Sequence, residues 1–91
     1  MDRVTAYRDF LLFVLANLIQ EPEQASIRLS EETMEQVVFS ITLAQGDVGR
    51  LIGRNGFTIS AVRSLLTAAG KKHGTQAKIR LYAHGQKKRL A

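Results

Sequence analysis

The chain of 91 residues has no cysteine, which excludes disulfide staples, thiolate metal sites and cysteine nucleophiles together. That absence fits a reducing compartment. Long hydrophobic runs are missing too. The most apolar stretch, Phe10 to Ile19, has ten residues, where a membrane span needs about twenty. Asp2, Arg3, Arg8 and Asp9 leave the segment before it charge-balanced, without the positive start and small-x-small cleavage site of a secretory signal. The stretch reads as part of the first helix of a cytoplasmic protein with no membrane insertion. Catalytic groupings are equally scarce. His73 and His84 have no carboxylate cluster beside them, Glu31, Glu32 and Glu35 read as solvated charges at a turn, and no metal-ligand spacing occurs. Neither an enzyme nor a metal or cofactor protein is expected.

Acidic residues run out halfway along the chain. Residues 1–46 carry three basic groups against seven acidic ones, a net of −4, whereas residues 47–91 carry ten basic groups against Asp47 alone, a net of +9. The overall +5 therefore belongs to the second half. Such a split points to a polyanionic partner, nucleic acid or an anionic membrane. Solubility with a basic tail explains it as well, and charge alone does not choose.

The size allows one core. A folded chain of 10.1 kDa exposes roughly 5,300 Å² of the ~14,600 Å² it exposes unfolded, burying about 64%. Val4, Tyr7, Leu11, Val14, Leu15 and Leu18 recur at spacings of three and four, the pattern of one helix face, and Glu21-Pro22 ends the helix. Phe13 falls opposite that face. After the proline the period becomes two: Ile27 and Leu29, then Val37, Phe39, Ile41 and Leu43, and much later Ala77, Ile79 and Leu81 each alternate with polar neighbours. Ser30 to Thr33 reads as the turn of a hairpin between the first two strands. Between the second and third strands, Asp47 reads as the N-cap of a short helix through Ile52, the run from Gly53 to Gly56 interrupts, and a longer helix resumes from Phe57 to His73 with Gly70 and Gly74 at its fraying end. The order is α-β-β-α-α-β. The expected fold is α+β, with a three-stranded mixed sheet whose helices cover one face and whose other face meets water. Residues 1–84 form the domain, and 85–91 are expected to be a disordered basic tail.

The informative stretch is Val48-Gly-Arg-Leu-Ile-Gly-Arg-Asn-Gly-Phe-Thr-Ile59. It has neither the Gly-Lys-Ser/Thr of a P-loop nor the G-x-G-x-x-G order of a dinucleotide fold. Two glycines around a basic and a small polar residue, set between helices, make a tight turn where amide groups and the Arg54 charge can hold a phosphate. A plain helix connection that happens to use glycine satisfies the spacing equally well.

With its flanks, Leu51-Ile52-Gly53-Arg54-Asn55-Gly56-Phe57-Thr58-Ile59 resembles the I-G-x-x-G-x-x-I signature of the KH domain. A helix and a strand ahead of that core give the order of the type II KH fold. The chain is similar over about residues 4–82 to the small bacterial single-KH proteins of the KhpA family. That resemblance implies single-stranded RNA in a groove clamping about four nucleotides, with the GXXG loop against the backbone. Carried over, Gly53, Arg54, Asn55 and Gly56 hold phosphates, and Leu51, Ile52 and Ile59 floor the groove or the core beneath it. Arg50 and Arg63 either extend the positive surface or are solvated charges. Val38, Ser40 and Thr42 of the second strand are candidate edge contributors, while Lys78 and Arg80 lie on the open sheet face. Tyr7, Tyr82 and the four phenylalanines do not gather into a stacking platform, so sequence specificity is expected to be low.

The long helix is apolar over an arc of about 200°, more than the ~100° that a surface helix buries. Either the first helix wraps it or it meets a partner. Phe57, Ala61, Val62, Leu65 and Ala68 are the candidates for that contact. The family resemblance implies a homodimer or pairing with a KH- and R3H-containing protein of the KhpB (Jag) type. It also implies RNA-chaperone activity and post-transcriptional regulation linked to cell-wall biogenesis, cell-envelope growth and cell-length control. The competing reading is a protein-interaction adaptor that uses the KH fold mainly to dimerise.

Overall fold

Tyr7, Leu11 and Leu15, four residues apart, are the fully buried side chains of the first helix, α1 (Arg3–Leu18). Asp2 starts it by accepting a hydrogen bond from the Thr5 N–H at 2.9 Å, which satisfies an amide the helix leaves unpaired. The computed structural model describes residues 2–91. The helix ends earlier than expected, at Leu18, with Ile19 already extended. The cause is remote: the Asp47 carboxylate takes the N–H groups of Gln20 and Glu21, at 3.0 and 2.9 Å, that a longer helix would have used. Pro22 then opens a 3-10 turn (Pro22–Gln24), where its missing N–H costs nothing.

The hairpin pairs β1 (Ser26–Glu32) with β2 (Gln36–Leu43) in antiparallel fashion, with a bulge between Leu29 and Glu31. Its turn is Thr33 to Glu35 rather than Ser30 to Thr33, because Thr33 Oγ1 accepts from the N–H groups of Glu35 and Gln36 at 3.2 and 3.0 Å. Arg3 ties α1 to this turn by donating to the Met34 and Thr33 carbonyl oxygens.

From β2 the chain passes through α2 (Gln45–Ile52), a second 3-10 turn (Arg54–Gly56) and α3 (Phe57–Lys72) to β3 (Gln76–Ala83), which lies parallel to β2. The strand order is β1-β2-β3, so the sheet is mixed and β2 is central. This α+β arrangement is that of the type II KH fold. Val37, Phe39, Ile41 and Leu43 of β2 meet Leu11, Leu15, Leu51, Val62 and Leu66 in a single core on one face of the sheet.

Three local expectations fail for identifiable reasons. Ala44, not Asp47, stands at the N-cap of α2, and Asp47 is buried in its first turn, bound to the chain after α1. Gly70 is not in a frayed end: Thr75 N–H donates to its carbonyl at 2.8 Å and holds the close of α3 against the start of β3. The outer face of the sheet is not simply wet. Val38 and Ser40 are 1% and 6% exposed, short side chains at registers flanked by Arg28, Lys78 and Arg80. The tail is also seen to double back, with Leu90 N–H donating to Leu81 O at 2.7 Å and Leu81 N–H to Ala91 O at 3.0 Å.

Candidate nucleic-acid interface

The GRNG segment is a turn that only this distribution of residues builds cheaply. Gly53 closes α2 by donating to the Gly49 carbonyl, at φ 75° and ψ 174°, a region open essentially to glycine alone. Asn55 and Gly56 follow in the left-handed region, at φ 55° and 77°, and asparagine is among the few side chains that tolerate it. Arg54 and Asn55 project into solvent from this turn. Neither of their backbone N–H groups has a partner among the described residues. Space around Gly56 is open, whereas Gly53 backs onto Thr58. Both glycines are required by conformation, but only Gly53 also by packing.

The helix that leaves the turn divides its surface three ways. Ile59, Val62, Leu66 and Gly70 are buried. Arg63, Thr67 and Lys71 form a polar and cationic flank. Phe57, Ala61, Leu65 and Ala68 form an exposed stripe elsewhere on the helix, with Phe57 71% and Leu65 57% accessible. Val62 does not belong with that stripe, because it points into the core at 5% exposure. Ile59 is likewise buried below the loop, and Ile52 is half-buried beside it.

The cationic flank faces β3. Two adjoining hollows of about 410 and 190 Å³ run between them, lined by Arg63, Thr67 and Lys71 from α3 and by Gln76, Ala77, Lys78 and Ile79 from β3. As an outer strand, β3 has one free edge. Leu81 turns both its N–H and its C=O to that edge, where residues 90–91 take them. By the period of two, the N–H and C=O groups of Ala77 and Ile79 point the same way, into the furrow. The Arg63 guanidinium reaches the Ile79 carbonyl at 3.5 Å. Apart from that one contact, the edge peptide groups of Ala77 and Ile79 opposite Arg63 and Lys71 are unpaired among the described residues, suited to base edges on one side and phosphates on the other.

Sequence reasoning misplaced two contributors. Val38, Ser40 and Thr42, expected at the edge of the groove, lie on the central strand β2 and alternate with its core residues, on the sheet face away from the helices. The furrow uses β3 instead, including Lys78. Arg50 is occupied: its guanidinium donates to Asp47 Oδ1 at 2.8 Å and to the Gly46 carbonyl at 3.0 Å. The Gln20 N–H first, then the Glu21 N–H and the Arg50 guanidinium, hold the Asp47 carboxyl below its ordinary pKa against the opposing effect of burial. Among the described residues no group of three metal-ligating side chains exists, and no helix is long and apolar enough to cross a membrane.

The family described as KhpA/KhpB, KH domain, matches residues 8–81. The chain is 28% identical over 74 residues to the "RNA-binding protein KhpA" of Chlamydia trachomatis, covering 81% of this chain and 94% of that one. It is 33% identical over 73 residues to the protein of the same name from Listeria monocytogenes, covering 80% and 92%. Against that from Streptococcus pneumoniae it is 38% identical over 58 residues, covering 64% and 72%. No solved structure matches the chain significantly.

Proposed function

The chain belongs to the KhpA/KhpB KH-domain family, and on that premise we propose that it binds single-stranded RNA with low sequence specificity. The proposal is supported by three features that α3 links, since it leaves the GRNG turn and packs against β3. These are the exposed Arg54-Asn55 turn with its free amides, the Arg63–Lys71 flank of α3, and the open edge of β3. In this reading Gly53, Arg54, Asn55 and Gly56 hold the sugar-phosphate backbone. Arg63 and Lys71 carry it along the furrow, and the peptide groups of Ala77 and Ile79 meet the bases. Arg50 serves mainly to fix Asp47. Curated relatives bearing the name RNA-binding protein agree with this reading.

A groove for about four nucleotides binds weakly alone. The stripe of Phe57, Ala61, Leu65 and Ala68 supports pairing, with a second copy or with a KhpB-type KH-R3H protein, and pairing joins two weak sites into one stronger one. The same stripe favours the competing reading of an interaction adaptor. An RNA chaperone or post-transcriptional regulator in the cytoplasm, linked to cell-envelope growth and cell length, is the role this family membership implies.

Anisotropy titration of a labelled four-nucleotide single strand tests the RNA reading. With three or four phosphates neutralised, log K falls against log salt with a slope of about −2 to −3, roughly 30-fold weaker binding from 50 to 200 mM. Absence of binding at low salt, with dimerisation intact, selects the adaptor.

A further inference from the structure

The sheet face opposite the helices carries a second cationic surface. Register places Arg28, Ser40 and Arg80 in one row across the three strands, and Ser26, Thr42 and Tyr82 in the next. The Ser40 hydroxyl of the central strand is hydrogen-bonded to that of Ser30, at the bulge of β1. With neighbouring strands about 4.8 Å apart, the two arginines of the first row stand roughly 10 Å from one another. No carboxylate lies in either row. Glu31, which shares this face, is opposite Val38 and accepts from Gln36 Nε2 at 3.1 Å.

The tail completes the surface. Beyond β3 the chain turns at Gly85, Gln86 N–H donates to Ala83 O at 3.0 Å, and the bonds between Leu81 and residues 90–91 bring the segment back along the sheet edge. Lys87 thereby joins Arg28, Ser40, Thr42 and Tyr82 around a hollow of about 370 Å³. Lys87 lies beyond residues 8–81, where the family match ends. Arg28, Arg80 and Lys87 make no ion pair among the described residues. Two unneutralised cations, Arg28 and Lys87, line this hollow with hydroxyl donors, and Arg80 stands beside Ser40 in register, so the face is complementary to phosphate oxygens, with the Tyr82 ring at the hollow.

We infer that this face, closed by the folded-back tail, is a second contact surface for the phosphodiester backbone of single-stranded RNA. It takes the part of the strand that extends beyond the GRNG furrow. Lys78 connects the two surfaces, since it lines the furrow and its register position is on the open face. The inference rests on the RNA-binding reading above and adds to it a length dependence: a strand of four nucleotides fills the furrow, and a longer one also crosses the sheet.

The test compares four- and twelve-nucleotide oligouridines on the wild-type protein and on R28Q/K87Q. Both substituted residues are exposed, and circular dichroism checks that the fold is kept. Each phosphate contact contributes about 0.7 to the salt slope of single-stranded binding. The double variant is expected to bind the four-nucleotide strand as the wild type does. On the twelve-nucleotide strand its slope becomes shallower by about 1.4, with roughly tenfold weaker binding at low salt. Unchanged affinity and slope on the longer strand overturn the inference while leaving the furrow reading intact. Loss of both oligomers in R54D/N55D, beside the selective loss in R28Q/K87Q, supports both. If R54D/N55D binds both normally, the furrow reading fails and the length argument fails with it. Flotation on phosphatidylglycerol vesicles is the remaining arm: a variant that loses vesicle binding but keeps the long RNA assigns the patch to lipid phosphate and overturns the proposal.

Discussion

Gly53 is packed against Thr58 so closely that a Cβ at Gly53 would sit 2.7 Å from Thr58 Cβ, below any distance that real side chains adopt. The glycine at the other end of the turn has no such neighbour. Gly53→Ala therefore adds a steric clash to a glycine-only backbone conformation and is expected to cost about 3 kcal/mol or more, against about 1 kcal/mol for Gly56→Ala. Urea denaturation of the two variants measures the difference. Equal losses would mean that the turn rearranges freely around Thr58.

The Asp47 carboxylate makes the stability of the chain pH-dependent. Its pKa is lowered in the folded protein, first by the Gln20 N–H and then by the Glu21 N–H and Arg50, against the opposing effect of burial. A depressed carboxyl contributes stability that is fully present above its unfolded value of about 4 and is lost as pH falls through the folded one. Denaturation midpoints are expected to hold from pH 7 to about 5 and to decline below that. Asp47→Asn lowers the midpoint at pH 7 and flattens the decline, and an undiminished decline in that variant would assign it to other carboxylates.

On α3, Leu65→Glu puts a charge at the centre of the exposed stripe without touching the core. If the stripe is the pairing surface, sedimentation shows a pair in the wild type and a single chain in the variant, with an unchanged thermal midpoint for the isolated chain. Val62→Glu is no substitute, because Val62 is buried and the change unfolds the domain instead. Identical masses for wild type and Leu65→Glu would remove the stripe from the account.

How legible this was depended on range. The helix face of Tyr7, Leu11 and Leu15, the three alternating strands and the glycine-bounded turn follow from local spacing, and all were readable. Asp47 looked like an N-cap because caps are local, yet its carboxylate serves a segment more than twenty residues earlier in the chain. Val62 and Leu65 are three positions apart on one apolar arc, and only the placement of β3 decides which turns inward. Spacing does not reveal which strand lies outermost, so the free edge of β3 is visible only in the strand order. No pattern in Gly85 to Ala91 announces the return of the tail to Leu81, since that rests on two backbone hydrogen bonds.

Arg63 and Arg50 separate furrow contact from internal structure. Arg63→Ala removes a charge that faces the open edge of β3, and is expected to reduce the salt slope of RNA binding by about 0.7. Arg50→Ala leaves the slope nearly unchanged and lowers thermal stability, because its guanidinium is engaged with Asp47. A salt series on each variant, paired with a melt, reads both effects, and reversed effects would exchange their roles.

The central claim is that the exposed turn at Arg54 and Asn55 holds the RNA backbone, and its most direct measurement is the affinity of R54D/N55D for a labelled single-stranded RNA at low salt. Both side chains point into solvent, and aspartate tolerates the left-handed conformation at position 55, so the fold is kept. The account predicts binding at least tenfold weaker, with an unchanged circular dichroism spectrum. Wild-type affinity in a folded R54D/N55D protein would contradict it.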